Sequence, residues 1–127
     1  MTIGWCFDNT YSRLPESFRE IINPVPVKKP ELVIINKDLE KQLNLDFSKL
    51  NDKEISELFS GNSLPPESNS IAQAYAGHQF GHFTKLGDGR AIIIGEHVTK
   101  HNKRFDIQLK GGGITKYSRK CPYGGKI

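Results

Sequence analysis

The sequence predicts an α+β fold in which helices and short strands precede a largely antiparallel sheet. Before Gly61, apolar residues recur at helical spacing in several stretches, and capping residues begin most of them. Further along, the run Ala91–Ile94 and the alternating stretch Phe105–Lys110 are typical of strands. Glycines crowd into the segment from Gly77 to Gly113, which indicates turns or close backbone contacts around those strands.

Length and composition fit one soluble unit. The chain has 127 residues, enough for one domain or a piece of a larger one, and no linker or repeat divides it. Charged residues make up 25% of the chain, which is typical of a soluble domain. The apolar runs are far too short to span a bilayer and the N-terminus lacks a secretory signal, so we expect a cytoplasmic protein without a membrane partner. The net charge of +4 favours anionic ligands, but no basic stripe with interleaved aromatic residues predicts nucleic-acid binding.

The first predicted element is a helix that begins near Pro15 and ends before Pro24. Proline suits the first helical turn, and Glu16 would lie near the positive end of the helix dipole. Four apolar residues at helical spacing would form its buried face: Leu14, Phe18, Ile21 and Ile22. The prolines from Pro24 to Pro30 then exclude a helix and predict an extended connector.

A strand and three more helices are expected before the glycine-rich part. Glu31–Ile35 is rich in β-branched residues, which predicts a short strand. Asn36 is a favoured N-cap for a helix whose apolar residues are Leu39 and Leu43.

Two further cap patterns predict the remaining helices. Asn51–Glu54 resembles a capping box, and Gly61 is a plausible end for the helix that it begins. Ser70–Gln73 repeats the pattern and predicts a short helix over Ile71–Ala76. The expected buried face of the first of these helices consists of Ile55, Leu58 and Phe59.

The glycine turn at Gly87 and Gly89, with the two strands after it, is the candidate site. Thr99–Lys103 is polar and predicts a hairpin turn between the strands. The second strand ends at Lys110, whose side chain alternation places opposite the apolar residues Phe105, Ile107 and Leu109. A lysine ammonium near free backbone N–H groups can neutralise phosphate oxygens, so this arrangement predicts a phosphate-binding site.

The spacing of this site is also that of a protein kinase, in which a strand lysine follows the glycine loop and contacts nucleotide phosphates. It matches neither the Walker A nor the Rossmann fingerprint. A Gly-x-Gly turn is more often only a turn, and a lysine at a strand end is more often solvated. Arg90 suits bidentate phosphate contact, but an ion pair with Asp88 or Glu96 explains it equally well.

The four histidines form two pairs with i, i+4 spacing, His78 with His82 and His97 with His101. Gly81 interrupts the first pair, and the second pair straddles a turn. No cysteine or carboxylate completes either set, so we predict no metal site in this chain. A hydrogen-bonded or core histidine is the expected role of His78.

Several long motifs, in order, resemble the SelO (YdiU) family. The resemblance runs from about residue 5 to residue 119. The motifs are Phe7-Asp-Asn-Thr-Tyr-Ser-Arg-Leu-Pro15, Asn23-Pro-Val-Pro26, Tyr75-Ala-Gly-His-Gln-Phe-Gly81, Leu86-Gly-Asp-Gly-Arg-Ala91, Asp106-Ile-Gln-Leu-Lys-Gly111 and Thr115-Lys-Tyr-Ser-Arg119.

The resemblance implies a kinase-like fold that transfers AMP from ATP to Ser, Thr or Tyr hydroxyls of proteins. Gly87, Gly89 and Arg90 match the family's ATP-contacting glycine loop, and Lys110 matches its phosphate-contacting lysine. Magnesium would screen the triphosphate. The sheet is then expected to resemble part of a kinase small lobe.

The chain departs from the family pattern near its end. The family continues after Arg119 with another Gly-Asp-Gly-Arg segment, whereas this sequence reads Lys120–Ile127, and Lys116 stands where the family usually has proline. We therefore expect residues 1–127 to be the N-terminal part of a SelO-like domain whose last residues come from a frameshift or a gene break.

The resemblance assigns no catalytic residue to this chain, because the family's general base and metal ligands belong to the missing portion. We therefore expect no AMP transfer by the 127-residue chain alone. Two alternatives stay open: a nucleotide-binding remnant without catalysis, and a pseudogene product without a stable fold.

Overall fold

In the computed structural model, the described residues are 3–79, 82–87, 91–113 and 115. Two short 3₁₀ turns, Tyr11–Arg13 and Glu16–Phe18, come first. The α-helices are α1 (Lys37–Gln42) and α2 (Asp52–Ser60). The strands are β1 (Arg19–Ile21), β2 (Ile71–Gln79), β3 (His82–Gly87), β4 (Ala91–Val98) and β5 (Arg104–Lys110). The ladders between these strands are antiparallel, so the predicted α+β fold is confirmed.

The sheet has the strand order β1-β2-β4-β5, and β3 pairs with the second half of β2. The first residues of β2 pair with β1, and Ile71 lies opposite Ile93 of β4. From Ala74 onward β2 pairs with β3 instead. The second half of β4 is joined by the N-terminal segment, where Phe7 bridges His97. Strand β4 is therefore the centre of the sheet.

Two groups of buried side chains stabilise this arrangement. In the sheet, Ile71, Ile92 and Ile94 are almost completely removed from solvent. The second group packs beside α1 and α2 and consists of Leu43, Leu45, Phe47, Ile55 and Leu58. Ile107 of β5 contacts this second group, so the two helices and the hairpin share one apolar interior. Among the described residues, the helices lack the length and apolar composition needed to cross a membrane.

Local signals placed both α-helices correctly. The Asn36 side chain accepts a hydrogen bond from the Leu39 amide at 3.0 Å, which caps α1. Asn51 and Glu54 form the predicted capping box of α2. Gly61 ends α2 with φ of 88°, a left-handed conformation that glycine adopts without strain. Of the expected buried face of α2, Ile55 and Leu58 are buried, but Phe59 is 39% exposed.

The predicted helix after Pro15 is wrong. The chain forms only a 3₁₀ turn there, and Arg19–Ile21 then becomes strand β1. The backbone of this segment pairs with Ile71–Gln73 of β2, and this ladder satisfies the hydrogen-bonding groups that a helix would have satisfied internally. The supposed buried face is not buried, since Ile21 is 61% exposed.

The predicted strand at Glu31–Ile35 is also wrong. This segment belongs to none of the described strands. Leu32 and Ile35 pack against the helical cluster, whereas Val33 is 92% exposed and Ile34 is 85% exposed. β-Branched composition favours a strand only where a neighbouring strand can pair with it.

The third wrong prediction is the helix over Ile71–Ala76, which is the first part of β2. Ser70 and Gln73 supply a local cap signal, but the backbone here pairs with β1 and β4, and the side chains of Ile71 and Ala72 are buried. Tertiary burial therefore outweighs a weak local preference for a helix.

Candidate functional site

The β4–β5 hairpin positions the candidate lysine. Its turn is the predicted stretch Thr99–Lys103, where the Thr99 amide donates to the Lys103 carbonyl at 2.9 Å. A register shift between Ile93 and Gly95 inserts an extra residue into β4. The ladder then continues to Lys110, which lies opposite Ala91. The predicted hairpin, with its lysine at the far end, is confirmed.

Gly87 precedes the segment of residues 88–90, and Lys110 lies opposite Ala91, which follows that segment. Gly87 pairs with Ala74 on β2, while Lys110 pairs with Ala91 on β4. Opposed residues of an antiparallel ladder have Cα atoms roughly 4.5–5.5 Å apart. Lys110 is therefore a direct neighbour of the residue that follows the glycine segment. The other two candidates, Gly89 and Arg90, lie outside the described residues.

The side chain of Lys110 faces solvent, whereas that of Leu109 is buried. This alternation is the one expected from the sequence. No ion pair within the described part of the chain involves Lys110. The position suits a phosphate contact, and it equally suits a solvated surface lysine.

The glycines after Lys110 have a structural use. The Gly112 carbonyl accepts a hydrogen bond from the Val25 amide at 2.8 Å. Gly113 has φ of 130°, and a Cβ there would lie 2.4 Å from Cγ2 of Val25. This glycine therefore permits the connector after β1 to pack closely against the end of β5. This packing contact requires glycine at position 113 whether or not the residue also contacts a ligand.

Glu96 forms the main polar cluster that the sequence analysis missed. Its carboxylate is buried and accepts hydrogen bonds from Oγ1 of Thr10 at 2.6 Å and from the Tyr11 amide at 2.7 Å. Nη1 of Arg104 also donates to it at 3.2 Å. These bonds fasten the N-terminal segment to the hairpin. Since Glu96 lies five residues beyond Ala91, roughly 16 Å along the strand, it is remote from the Lys110 end of the sheet.

Asp8 extends this cluster at the surface. Its carboxylate accepts hydrogen bonds from Arg104 at 2.8 Å and from Arg13 at 3.1 Å. The hydrogen bond from Arg104, followed by that from Arg13, lowers the pKa of Asp8 below its ordinary value of 3.8. Because the group is exposed, the pair is screened and its contribution to stability is modest.

We expect Asp8→Asn to reduce the loss of folding stability that occurs as pH falls into the acid range. A carboxyl with a lowered pKa in the folded state contributes stability above its unfolded pKa, and loses it as pH falls through the folded pKa. The difference between the wild type and Asp8→Asn should therefore shrink below about pH 4. Thermal unfolding from pH 7 to pH 2 measures this difference. The control is Glu31→Gln, since the Glu31 side chain is exposed. A constant offset for Asp8→Asn at every pH would contradict the assignment.

His97 is a structural residue. Its ring is buried, Nδ1 accepts a hydrogen bond from the Cys6 amide at 3.1 Å, and Nε2 lies 2.6 Å from the Leu43 carbonyl oxygen. With both nitrogens bonded to backbone, the ring has no free nitrogen for a metal ion. Nor do the described residues contain a group of three or more potential metal ligands. The expectation for His78 concerns a side chain outside the described part of the structure.

A family model and individual relatives both match this chain and agree on one family. The family model for protein adenylyltransferase SelO matches residues 2–125. A protein nucleotidyltransferase YdiU from Pelagibacter ubique is 69% identical over 119 residues, which cover 94% of this chain and 25% of the relative. A protein of the same name from Nitrosococcus oceani is 57% identical over 118 residues, covering 93% of this chain and 24% of that relative. The chain thus spans about a quarter of the length of the curated relatives that it matches. It belongs to the SelO family of nucleotidyltransferases.

Proposed function

We propose that this chain is the N-terminal portion of a protein adenylyltransferase, which transfers AMP from ATP to Ser, Thr or Tyr hydroxyls of proteins. In this reaction the acceptor hydroxyl loses its proton and its oxygen bonds to the α-phosphorus of ATP, the bond from the α-phosphorus to the oxygen that bridges to the β-phosphorus breaks, and pyrophosphate leaves with that oxygen. The family match supports the nucleotidyl transfer. The protein acceptor is inferred from the family description, and its Ser, Thr or Tyr hydroxyls from the sequence resemblance described above.

Gly87, Gly89, Arg90 and Lys110 are the residues that we propose for the nucleotide phosphates. The observation that carries the assignment is the register, because Lys110 lies opposite Ala91, where the glycine segment ends. There an ammonium would offset the charge that develops on the leaving pyrophosphate. The guanidinium of Arg90 would add two parallel hydrogen bonds to phosphate oxygens.

Magnesium would accompany ATP and screen its triphosphate. Within the described ranges, no group of three or more His, Cys, Asp or Glu side chains could hold a metal ion. We therefore assign no residue of this chain to the metal, and we derive no step through it. The proposed contribution of the chain is to bind and orient the phosphates.

Lys110→Ala should weaken ATP binding by roughly 10- to 150-fold, because a hydrogen bond to a charged group contributes about 1.5–3 kcal/mol. Arg90→Ala should weaken binding similarly. Calorimetric titration of the 127-residue chain with ATP measures both effects. Lys103→Ala is the matched control, since Lys103 is also exposed but precedes β5 at the opposite end of that strand.

Equal affinity of Lys110→Ala, Lys103→Ala and the wild type would contradict the proposed site.

A second measurement separates binding from catalysis. The chain alone should not transfer AMP to a protein acceptor, because we assign no general base to it. ATP binding without transfer by the full-length Pelagibacter ubique relative would instead favour a nucleotide-binding protein without catalysis.

A further inference from the structure

A groove of about 490 Å³ lies between the segment of residues 32–47 and strand β5. One end of it adjoins the cluster around Asp8 and Glu96, because Asp106 lines the groove and lies opposite Glu96 in the β4–β5 ladder, but neither Gly87 nor Lys110 lines it. Its walls are mainly apolar. They include Trp5, Ile34, Leu39, Phe47, Phe59 and Phe105.

The groove runs along the edge of β5. Four consecutive residues, Phe105–Gln108, line it, although successive side chains of a strand point to opposite faces. Consecutive residues line one space only when that space adjoins the strand edge. Within the described part of the chain, β5 pairs with β4 alone, so its outer edge can accept another strand.

The groove presents apolar side chains to solvent. Ile34 is 85% exposed, and Leu39, Phe59 and Phe105 are each more than a third exposed. Contiguous apolar surface of this kind marks an interaction site in a soluble protein. An occupant that combines an extended backbone with apolar side chains would satisfy both the strand edge and the groove wall.

We propose that an extended apolar segment from the rest of a full-length SelO protein fills this groove and pairs with the outer edge of β5. The curated relatives are about four times as long as the matched region, so they contain ample polypeptide to supply it. A segment of the same chain also binds at a high effective concentration. This inference requires the family membership but not the proposed ATP site.

Charge argues against a second copy of this chain that pairs in the symmetric register. If two β5 strands paired antiparallel about their central residue, Ile107, then Arg104 of each would lie opposite Lys110 of the other. Like charges directly opposite each other destabilise a strand pair. The remainder of the longer protein is under no such constraint.

Hydroxyl-radical footprinting of two proteins tests the proposal: this chain, and the full-length relative from Pelagibacter ubique. The position matched to Ile34 should be labelled at least about tenfold more slowly in the relative, after normalisation to each unfolded protein, because buried side chains are shielded. Val33 is the matched control. It is adjacent and 92% exposed, but it does not line the groove, so its position should stay reactive in both proteins.

Amide hydrogen exchange provides the second measurement. Amides of Phe105–Gln108 that point away from β4 should exchange quickly in this chain and slowly in the relative, since strand pairing protects them. Equal labelling at Ile34 and equal exchange along β5 in the two proteins would overturn the proposal. Protection of Ile34 that appears only when this chain dimerises, as judged by sedimentation, would also overturn it and identify a second copy as the occupant.

Discussion

Ile94→Ala is expected to lower the free energy of unfolding by about 2–5 kcal/mol, the range for truncating a fully buried isoleucine. Ile94 is completely buried and occupies the register shift of β4, between residues that pair with β5. Alanine would leave a cavity at the centre of the sheet, where neighbouring strands restrict collapse. Urea unfolding of the chain measures the effect as a fall in the midpoint at unchanged slope.

Val33→Ala is the matched control for this experiment. Val33 is also an aliphatic β-branched residue, but it is 92% exposed. Its truncation should change the free energy of unfolding by less than about 0.5 kcal/mol. If Ile94→Ala cost no more than Val33→Ala, then β4 would not be the centre of the folded sheet.

The predictions that succeeded depended on residues close together in the sequence. The capping box of Asn51 and Glu54 spans one helical turn, and Gly61 ends the same helix through its own backbone conformation. The hairpin was predictable for the same reason, because its turn and its two alternating strands are contiguous. Local chemistry determines such elements with little help from the rest of the fold.

The predictions that failed required knowledge of distant partners. The stretch of residues 14–22 has apolar residues at helical spacing, yet Arg19–Ile21 within it pairs with Ile71–Gln73, some fifty residues later. Both segments were predicted as helices. Each is a strand because distant segments pair with it, β2 pairing with β1, β3 and β4, and no local pattern indicates those pairings. Conversely, Glu31–Ile35 has the composition of a strand but lacks a partner within the described structure.

The candidate site likewise combines features that nearby residues predict with features that depend on distant residues. Alternation along β5 and the position of the turn placed Lys110 at the glycine end of the sheet, as the register shows. The buried carboxylate of Glu96 was not predicted, because Thr10 and Arg104 approach it from opposite ends of the chain. Long-range polar contacts of this kind leave no periodic signal in a sequence.

His97 joins three segments that are distant in sequence, so its replacement tests how the N-terminal segment is held. We expect His97→Leu to cost about 2–4 kcal/mol in unfolding free energy. The Cys6 amide and the Leu43 carbonyl both lose their side-chain partner, and an unsatisfied buried group costs about 1–3 kcal/mol. Trp5 and Phe7, whose rings flank the imidazole, would also repack.

Two amide variants separate hydrogen bonding from packing. In His97→Asn, the side-chain oxygen can replace Nδ1 as the acceptor for the Cys6 amide; in His97→Gln, the side-chain N–H can replace Nε2 as the donor to the Leu43 carbonyl. Each variant should therefore retain one bond and cost less than His97→Leu in urea unfolding. If all three cost the same, the ring would act only by filling space. A graded series would instead mean that the two backbone hydrogen bonds of His97 hold the N-terminal segment and the end of α1 against β4.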